Sequence, residues 1–346
     1  MSKSAAQDNV RSMKRLLTAL LTIALLAALA FGASLYYSAA RLRSAASAEV
    51  DIPQGSSVQA IAGKLAEAGV IRAPALFKAV VRVKGAAGKL RAGPYEFPAG
   101  TTMLAAIDKL ERGDVRQWPF TIIEGWTAKE IAAALAGQPF LADEGVPAEF
   151  LRLASDKVFM AEVGVSGAPG LEGYLFPDTY FLTRPTTAAS LIRRLVARFR
   201  DVWSSMGAKS GEAAKLSDEE LLTLASVVEK ETGDGGERPL VASVFYNRLR
   251  DGMPLQSDPT IIYGLKDYDG NIRRSDISNP HPYNTYVHAG LPPGPICNPG
   301  RASISAVFNP ARSDYFYFVS RKDGTHEFSR TLSDHNQAVR RYQLSN

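Results

Sequence analysis

The longest uninterrupted pattern along the chain is apolar. From Leu16 to Ala40 no charged residue occurs, and the stretch LLTALLTIALLAALAFGASLYY (16–37) is rich in Leu and Ala throughout. A helix rises about 1.5 Å per residue, so about 20 such residues cross the hydrocarbon core of a bilayer. The pattern predicts a transmembrane helix over 16–37, with Leu35, Tyr36 and Tyr37 placing aromatics at its outer interface. Lys3, Arg11, Lys14 and Arg15 precede it and only Asp8 opposes them, so residues 1–15 are expected in the cytoplasm and everything after Tyr37 outside. A cleaved signal peptide is the competing reading, because Ala28-Leu29-Ala30 and Ala46-Ser47-Ala48 resemble cleavage sites. The apolar run is too long for a typical signal core, which favours a retained anchor; either way the globular part is exported.

After the span the periodicity changes. Residues 38–49 are Ala- and Ser-rich and read as a linker. Three strand-turn-helix units follow, in which Ile52–Ser57, Phe97–Thr102 and Ile122–Thr127 each end a strand-like run with Gly and then Ser or Thr. The helical pattern behind each reaches Leu65, Leu110 or Leu135, ten residues past its Gly. Glycine permits the turn, and Ser57, Thr102 or Thr127 can cap the helix that follows. These units fill a subdomain over 50–137. Between 138 and 170 Pro139, Pro147, Gly164, Gly167, Pro169 and Gly170 break any long element, which marks a connecting region before a larger domain at 171–346. There, 188–203 and 217–232 read as helices, 315–319 as a strand and 334–342 as a closing helix.

Composition narrows the function classes. The 346 residues include 22% charged and 46% apolar positions, enough for a folded core. The net charge of +5 comes from scattered Lys and Arg without a basic run, which argues against nucleic acid as a partner. Cys297 is the only cysteine, so neither an intramolecular disulfide nor a cysteine metal cage can form, and its Pro-rich loop puts no charge beside the thiol to activate it. There is no Gly-x-Ser-x-Gly elbow and no HExxH pair, and His281, His288, His326 and His335 read as loop imidazoles rather than a metal cluster.

One segment carries candidate chemistry. In LASVVEKET (224–232), Leu221, Leu224, Ala225 and Val228 share a helix face and Glu229 lies at its border, near the C-terminal end. Lost solvation and the negative end of the helix dipole would both raise a carboxyl pKa there, as a general acid requires. The bland alternative is a solvated Glu229 paired with Lys230 or Arg248.

Other blocks change that balance. Glu172–Tyr180 (EGYLFPDTY), Val241–Leu249 (VASVFYNRL), Gln256–Thr260 (QSDPT), Pro282–Tyr286 (PYNTY) and Gly290–Ile296 (GLPPGPI) occur in order around the Glu229 helix. Together they resemble the endolytic murein transglycosylases, the YceG-like family, over about residues 50 to 346. The three strand-turn-helix units likewise resemble LysM-like carbohydrate-binding modules, with a plain spacer as the alternative.

The resemblance implies an α+β protein with one N-terminal transmembrane helix, a small LysM-like α/β subdomain and a larger mixed α/β catalytic domain. It implies a single-pass protein of the bacterial inner membrane that cleaves within peptidoglycan glycan strands, with Glu229 as catalytic residue and no metal or cofactor. Peptidoglycan synthases, the penicillin-binding proteins, are the partners it implies. Glu231 lies about 200° around the helix from Glu229 and is given a structural role. Gln256, Asp258, Thr260, Tyr283, Asn284, Thr285 and Tyr286 are the expected substrate contacts, since Tyr faces stack on sugars and the polar groups bond hydroxyl and acetamido groups. A lysozyme-type hydrolase would need a second carboxylate, for which Asp178, Asp258 and Asp276 are candidates. A wall-binding protein without activity is the third reading.

Overall fold

The computed structural model describes residues 3–344, with side chains from Met13 onward. The chain forms two compact units: one runs to Trp118 and takes in Phe181–Pro185, the other comprises Pro119–Tyr180 and everything from Thr186.

The first unit begins with α1 (Lys3–Arg41). Leu16, Leu20, Leu26 and Phe31 are exposed, as a span requires, whereas Ala39 is fully buried and Leu35 packs on the unit's core. The charges of Lys3, Asp8 and Arg11 lie outside the described side chains. β1 (Ala48–Ile52), α2 (Val58–Glu67), α3 (Pro74–Val83), β2 (Gly93–Phe97) and α4 (Met103–Arg112) follow. β1 and β2 pair antiparallel with Val50 opposite Tyr95. The period-2 alternation turns Val50, Ile52, Tyr95 and Phe97 onto Leu65, Phe77, Ile107 and Leu110 and leaves Asp51 and Glu96 outside. Both expected turns are present: Gly55 and Gly100 have φ of 78° and 83°, while Ser57 and Thr102 accept from Ala60 N at 3.2 Å and Ala105 N at 3.1 Å. The expected linker is part of this unit. Ser44 accepts from Thr101 N on its side chain and donates to Thr101 O through its backbone, so that segment is held against the fold.

In the second unit β3 (Trp118–Thr121) leads through the Gly125 turn to α5 (Ala128–Ala136), where Thr127 and Glu130 close a capping box. The third repeat therefore groups with the rest of the chain, and the division falls at Trp118 rather than at Gly137. The cause is its hydrogen bonding: Ile122 N–H donates to Asp178 O at 3.0 Å beside β4 (Thr179–Leu182), and Gly125 N–H to Asn298 O at 2.9 Å. The segment read as irregular holds α6 (Pro139–Ala142), α7 (Val146–Ser155) and α8 (Lys157–Glu162). Proline tolerated in a first turn opens α6 and α7, and Val146, Phe150 and Leu153 form a buried stripe.

α9 (Ala188–Ser204) and α10 (Asp218–Glu231) agree with the predicted helices to within a residue or two. α11 (Arg238–Arg250), α12 (Asp258–Gly264), α13 (Arg274–Ile277) and α14 (Arg301–Phe308) precede the hairpin β5 (Tyr317–Ser320) and β6 (His326–Ser329), and α15 (Leu332–Val339) follows it. α10 is more central than its amphipathic pattern implied. All positions from Leu221 to Val228 are buried, packed with Val241, Phe245, Ile296, Ile304 and Val307, as expected of a helix enclosed on every side. The fold is thus a mixed α/β one with an apolar N-terminal helix.

Candidate active site

Glu229 sits in the last turn of α10 with its side chain 6% exposed. Its Oε2 accepts the Gly300 N–H at 2.8 Å and its Oε1 accepts Arg238 Nη2 at 3.3 Å. Neither partner of the solvated alternative is engaged: Lys230 Nζ donates to Gly125 O at 3.4 Å, and Arg248 bonds Phe316 O and Leu255 O at 2.7 Å each. Gly300 is the N-cap of α14, so the positive end of that helix faces the carboxyl. Arg238 opens α11; its Nε is buried without a partner among the described residues.

A buried hub holds these segments together. The Asn298 side-chain oxygen accepts Gly173 N–H at 2.8 Å and Leu175 N–H at 2.9 Å, while its amide donates to Trp126 O at 2.9 Å and Glu172 Oε1 at 2.8 Å. Burial pushes Glu172 up to about 7, although the Ala128 N–H, Tyr263 and Asn298 hold it down in part. Over the site lies the 123–126 turn, where a Cβ on Gly125 would stand 3.6 Å from Glu229 Cγ.

Glu124, in that turn, brings a second carboxyl to the site. Its carboxyl occupies the space a Cβ on residue 300 would need. Partial burial and then the neighbouring Glu229 raise it above the usual carboxyl range, against the pull of Arg238. The three aspartates considered from sequence are engaged elsewhere. Asp178 pairs with Arg198 at 2.8 Å, Asp276 caps α13 through Arg273 N, and Asp258 accepts the Tyr286 hydroxyl at 2.7 Å. Glu231 faces other partners than Glu229: it is half-buried, accepts the Ser257 hydroxyl, and is pushed by desolvation up to about 7.

The expected substrate contacts divide into two groups. Thr260, Asn284 and Thr285 are buried and satisfied internally, Thr260 and Thr285 by a hydroxyl pair at 2.8 Å, Asn284 by the carbonyls of Ile277 and Asn279 at 3.0 and 2.8 Å. In this structure they hold a loop and offer no free group to a sugar. Gln256 and Asp258 are exposed, and Tyr283 and Tyr286 half-buried. Gln256 has φ of 50°, a left-handed conformation that non-glycine residues avoid and that occurs preferentially at functional loops. Tyr283 packs against Tyr263 with centroids 4.8 Å apart. Cys297 is wholly buried, which raises its thiol well above the ordinary value, and it donates to Ser226 O, so it is no nucleophile. No group of metal-ligating side chains occurs among the described residues.

Residues 50–341 match the YceG-like family. The chain belongs to that family. Over 307 residues it is 35% identical to the endolytic murein transglycosylase of Bacillus subtilis strain 168, covering 85% of this chain and 84% of that one. Over 317 residues it is 34% identical to the endolytic murein transglycosylase of Streptococcus pneumoniae strain R6, covering 84% of this chain and 57% of that longer one. The crystal structure of a YceG-like protein from Listeria monocytogenes superposes with a TM-score of 0.55 at 33% identity, over 84% of this chain and 98% of that one. The family resemblance carried by the five sequence blocks is borne out. Sequence reasoning missed Arg238, Asn298, Gly300 and the two carboxyls Glu124 and Glu172. Glu172 opens one quoted block and Glu124 lies inside the third repeat, but nothing in the spacing tied either to Glu229.

Proposed function

We propose that this chain is a peptidoglycan lytic transglycosylase that cuts within glycan strands, between N-acetylmuramic acid and N-acetylglucosamine, with Glu229 as general acid and then base. The observation that carries the reading is a single nearly buried carboxyl with each oxygen held by one donor, on a chain whose relatives are named endolytic murein transglycosylases. Glu229 gives its proton to the glycosidic oxygen as the bond to muramic C1 breaks through an oxocarbenium-like state. The resulting carboxylate takes the proton of the C6 hydroxyl, whose oxygen attacks C1 of the same sugar and closes a 1,6-anhydro ring. No water is consumed and Glu229 ends protonated. Arg238 and the Gly300 N–H fix the carboxyl's orientation through both steps. Because the nucleophile belongs to the reacting sugar, its effective concentration is high and one carboxyl suffices. Neither a metal nor a cofactor enters this scheme.

Gln256, Asp258, Tyr283 and Tyr286 are the side chains from the quoted loops that remain placed to meet a sugar. The first unit, with its two strand-turn-helix repeats, serves as a LysM-like glycan-holding or spacing module. α1 anchors the protein in the bacterial inner membrane with the catalytic domain outside, beside the penicillin-binding synthases that extend the strands. Hydrolysis of the same bond is the second reading, favoured by Glu124, the carboxyl beside Glu229. Mass spectrometry of purified strands digested by the full chain in detergent distinguishes the readings. We expect 1,6-anhydro-muramic ends with the native chain and at least a hundredfold fewer with Glu229→Gln. Reducing ends would establish hydrolysis, and full activity of the variant would remove Glu229 from the chemistry.

A further inference from the structure

The mechanism above leaves Glu124 without a task, although its surroundings are specific. The turn that carries it lies on the last turn of α10: Gly125 faces Glu229 Cγ and receives the Lys230 ammonium on its carbonyl. Glu124 is turned onto Gly300, where any side chain would overlap its carboxyl carbon and both oxygens. Gly300 is also the residue whose N–H holds Glu229. Two acids thus meet at one backbone position from separate elements, the turn before α5 and the end of α10. The charged groups facing Glu124 are Glu229 on α10 and Arg238 on α11. Lys230 is directed at Gly125 O, and the buried Cys297 thiol, whose titration Glu229 also affects, donates to Ser226 O. Arg238 is therefore the cation whose charge acts on both acids, through a direct bond to Glu229 and at longer range on Glu124. Glu124 makes no hydrogen bond among the described residues, so packing alone does not explain why its carboxyl is kept there.

Resting on Glu229 as the acid, we infer that Glu124 is a positioning residue that acts through Glu229, the two carboxyls sharing Arg238 and retaining one proton between them until the glycosidic oxygen takes it. Two carboxylates at one corner with a single cation repel each other, and the charge of Glu229 favours the protonated form of Glu124. The retained proton is the one the acid step delivers. Gly300 is required because a Cβ would push Glu124 out of the pair.

The test is the pH profile of anhydro-end formation at saturating strand concentration, with the full chain in detergent, for the native protein, Glu124→Gln and Gly300→Ala. Removing the second charge should move the alkaline limb of kcat to lower pH by about one unit, which is roughly a tenfold loss of kcat above that limb, with KM little changed. Gly300→Ala should give the same shift, and the double variant no more than either alone. Glu124 is at the surface of its turn, so both the native melting temperature and the KM should survive its replacement. An unmoved limb in a well-folded Glu124→Gln protein would reduce Glu124 to packing. Reducing ends that disappear in that variant would make it a water-activating base instead, which also overturns the inference. If Glu229→Gln stays active, it is the reading of Glu229 that fails, whatever the profile of Glu124→Gln.

Discussion

At the scale of the residue, the site is built from groups that need one another. Glu172 belongs to the Asn298 hub, half-buried and bonded to the Ala128 N–H, Tyr263 and Asn298, with a pKa raised by desolvation to about 7 from an ordinary 4.5. A carboxyl raised by folding binds its proton more tightly folded than unfolded. Its contribution is complete below about pH 4.5 and is lost as pH climbs through 7. The shift corresponds to roughly 3 kcal/mol, and Glu231, raised to a similar value, acts in the same direction. The protein is therefore expected to lose stability between about pH 5 and 7.5. Glu172→Gln, whose oxygen can still accept from Ala128 and Asn298, should remove about half of that slope in urea melts across the interval. A slope unchanged by the variant would mean that Glu172 stays ionised in the fold. The place of Glu229 at the border of a buried helix face was legible, because helical periodicity is local. Arg238, Gly300 and Glu124 were not, since they come from a helix start, a cap and a distant turn and meet only after tertiary packing. The internal bonding of Thr260, Asn284 and Thr285 was not legible for a related reason. A polar residue in a loop serves buried backbone groups as readily as a ligand, and composition does not distinguish the two.

Among the elements, the strand-turn-helix repeat was read down to its caps because its physics is local. Gly55, Gly100 and Gly125 all take positive φ, and Ser57, Thr102 and Thr127 all accept the expected N–H groups. What locality could not supply was the partner of each repeat. The first two face a common core, while the third is drawn to Asp178 and Asn298. The short helices α6–α8 escaped because the same prolines that mark a break in a pattern also open a helix. This division gives matched variants. Thr102→Ala and Thr127→Ala each remove one cap and should each destabilise by about 1 kcal/mol. Only Thr127 adjoins the turn that lies on Glu229, so only Thr127→Ala should lower kcat, by several-fold, at a temperature where both proteins are folded. Equal kcat for the two variants would detach the turn from the chemistry.

For the whole molecule, α1 has two parts with different surroundings. From Leu16 to about Phe31 its large side chains are exposed, and Met13–Arg41 is long and apolar enough to cross a bilayer. From Leu35 onward it belongs to the first unit, with Ala39 enclosed and Leu35 and Leu42 packed on the core. About 20 residues counted from Leu16 end at Leu35, so the bilayer-spanning length stops where the folded unit begins and leaves almost no free linker. The composition of residues 38–49 reads as a linker; in the structure the helix runs to Arg41 and Ser44 is bonded to Thr101. A chain starting at Gly32 should thus fail to float with phospholipid vesicles, yet keep slow hydrogen exchange at Val50 and Tyr95 in the β1–β2 pair. One starting at Ala45 should also be soluble, but it lacks Leu35, Ala39 and Leu42. Loss of these buried apolar groups should cost the first unit roughly 2–4 kcal/mol and accelerate exchange at Val50 and Tyr95 by thirtyfold or more. Identical exchange in the two truncated chains would mean that the last turns of α1 merely rest on the unit and that the tether is flexible after all. Faster exchange in the shorter chain alone would instead make the anchor a structural part of the module it carries, which fixes that module's height above the bilayer.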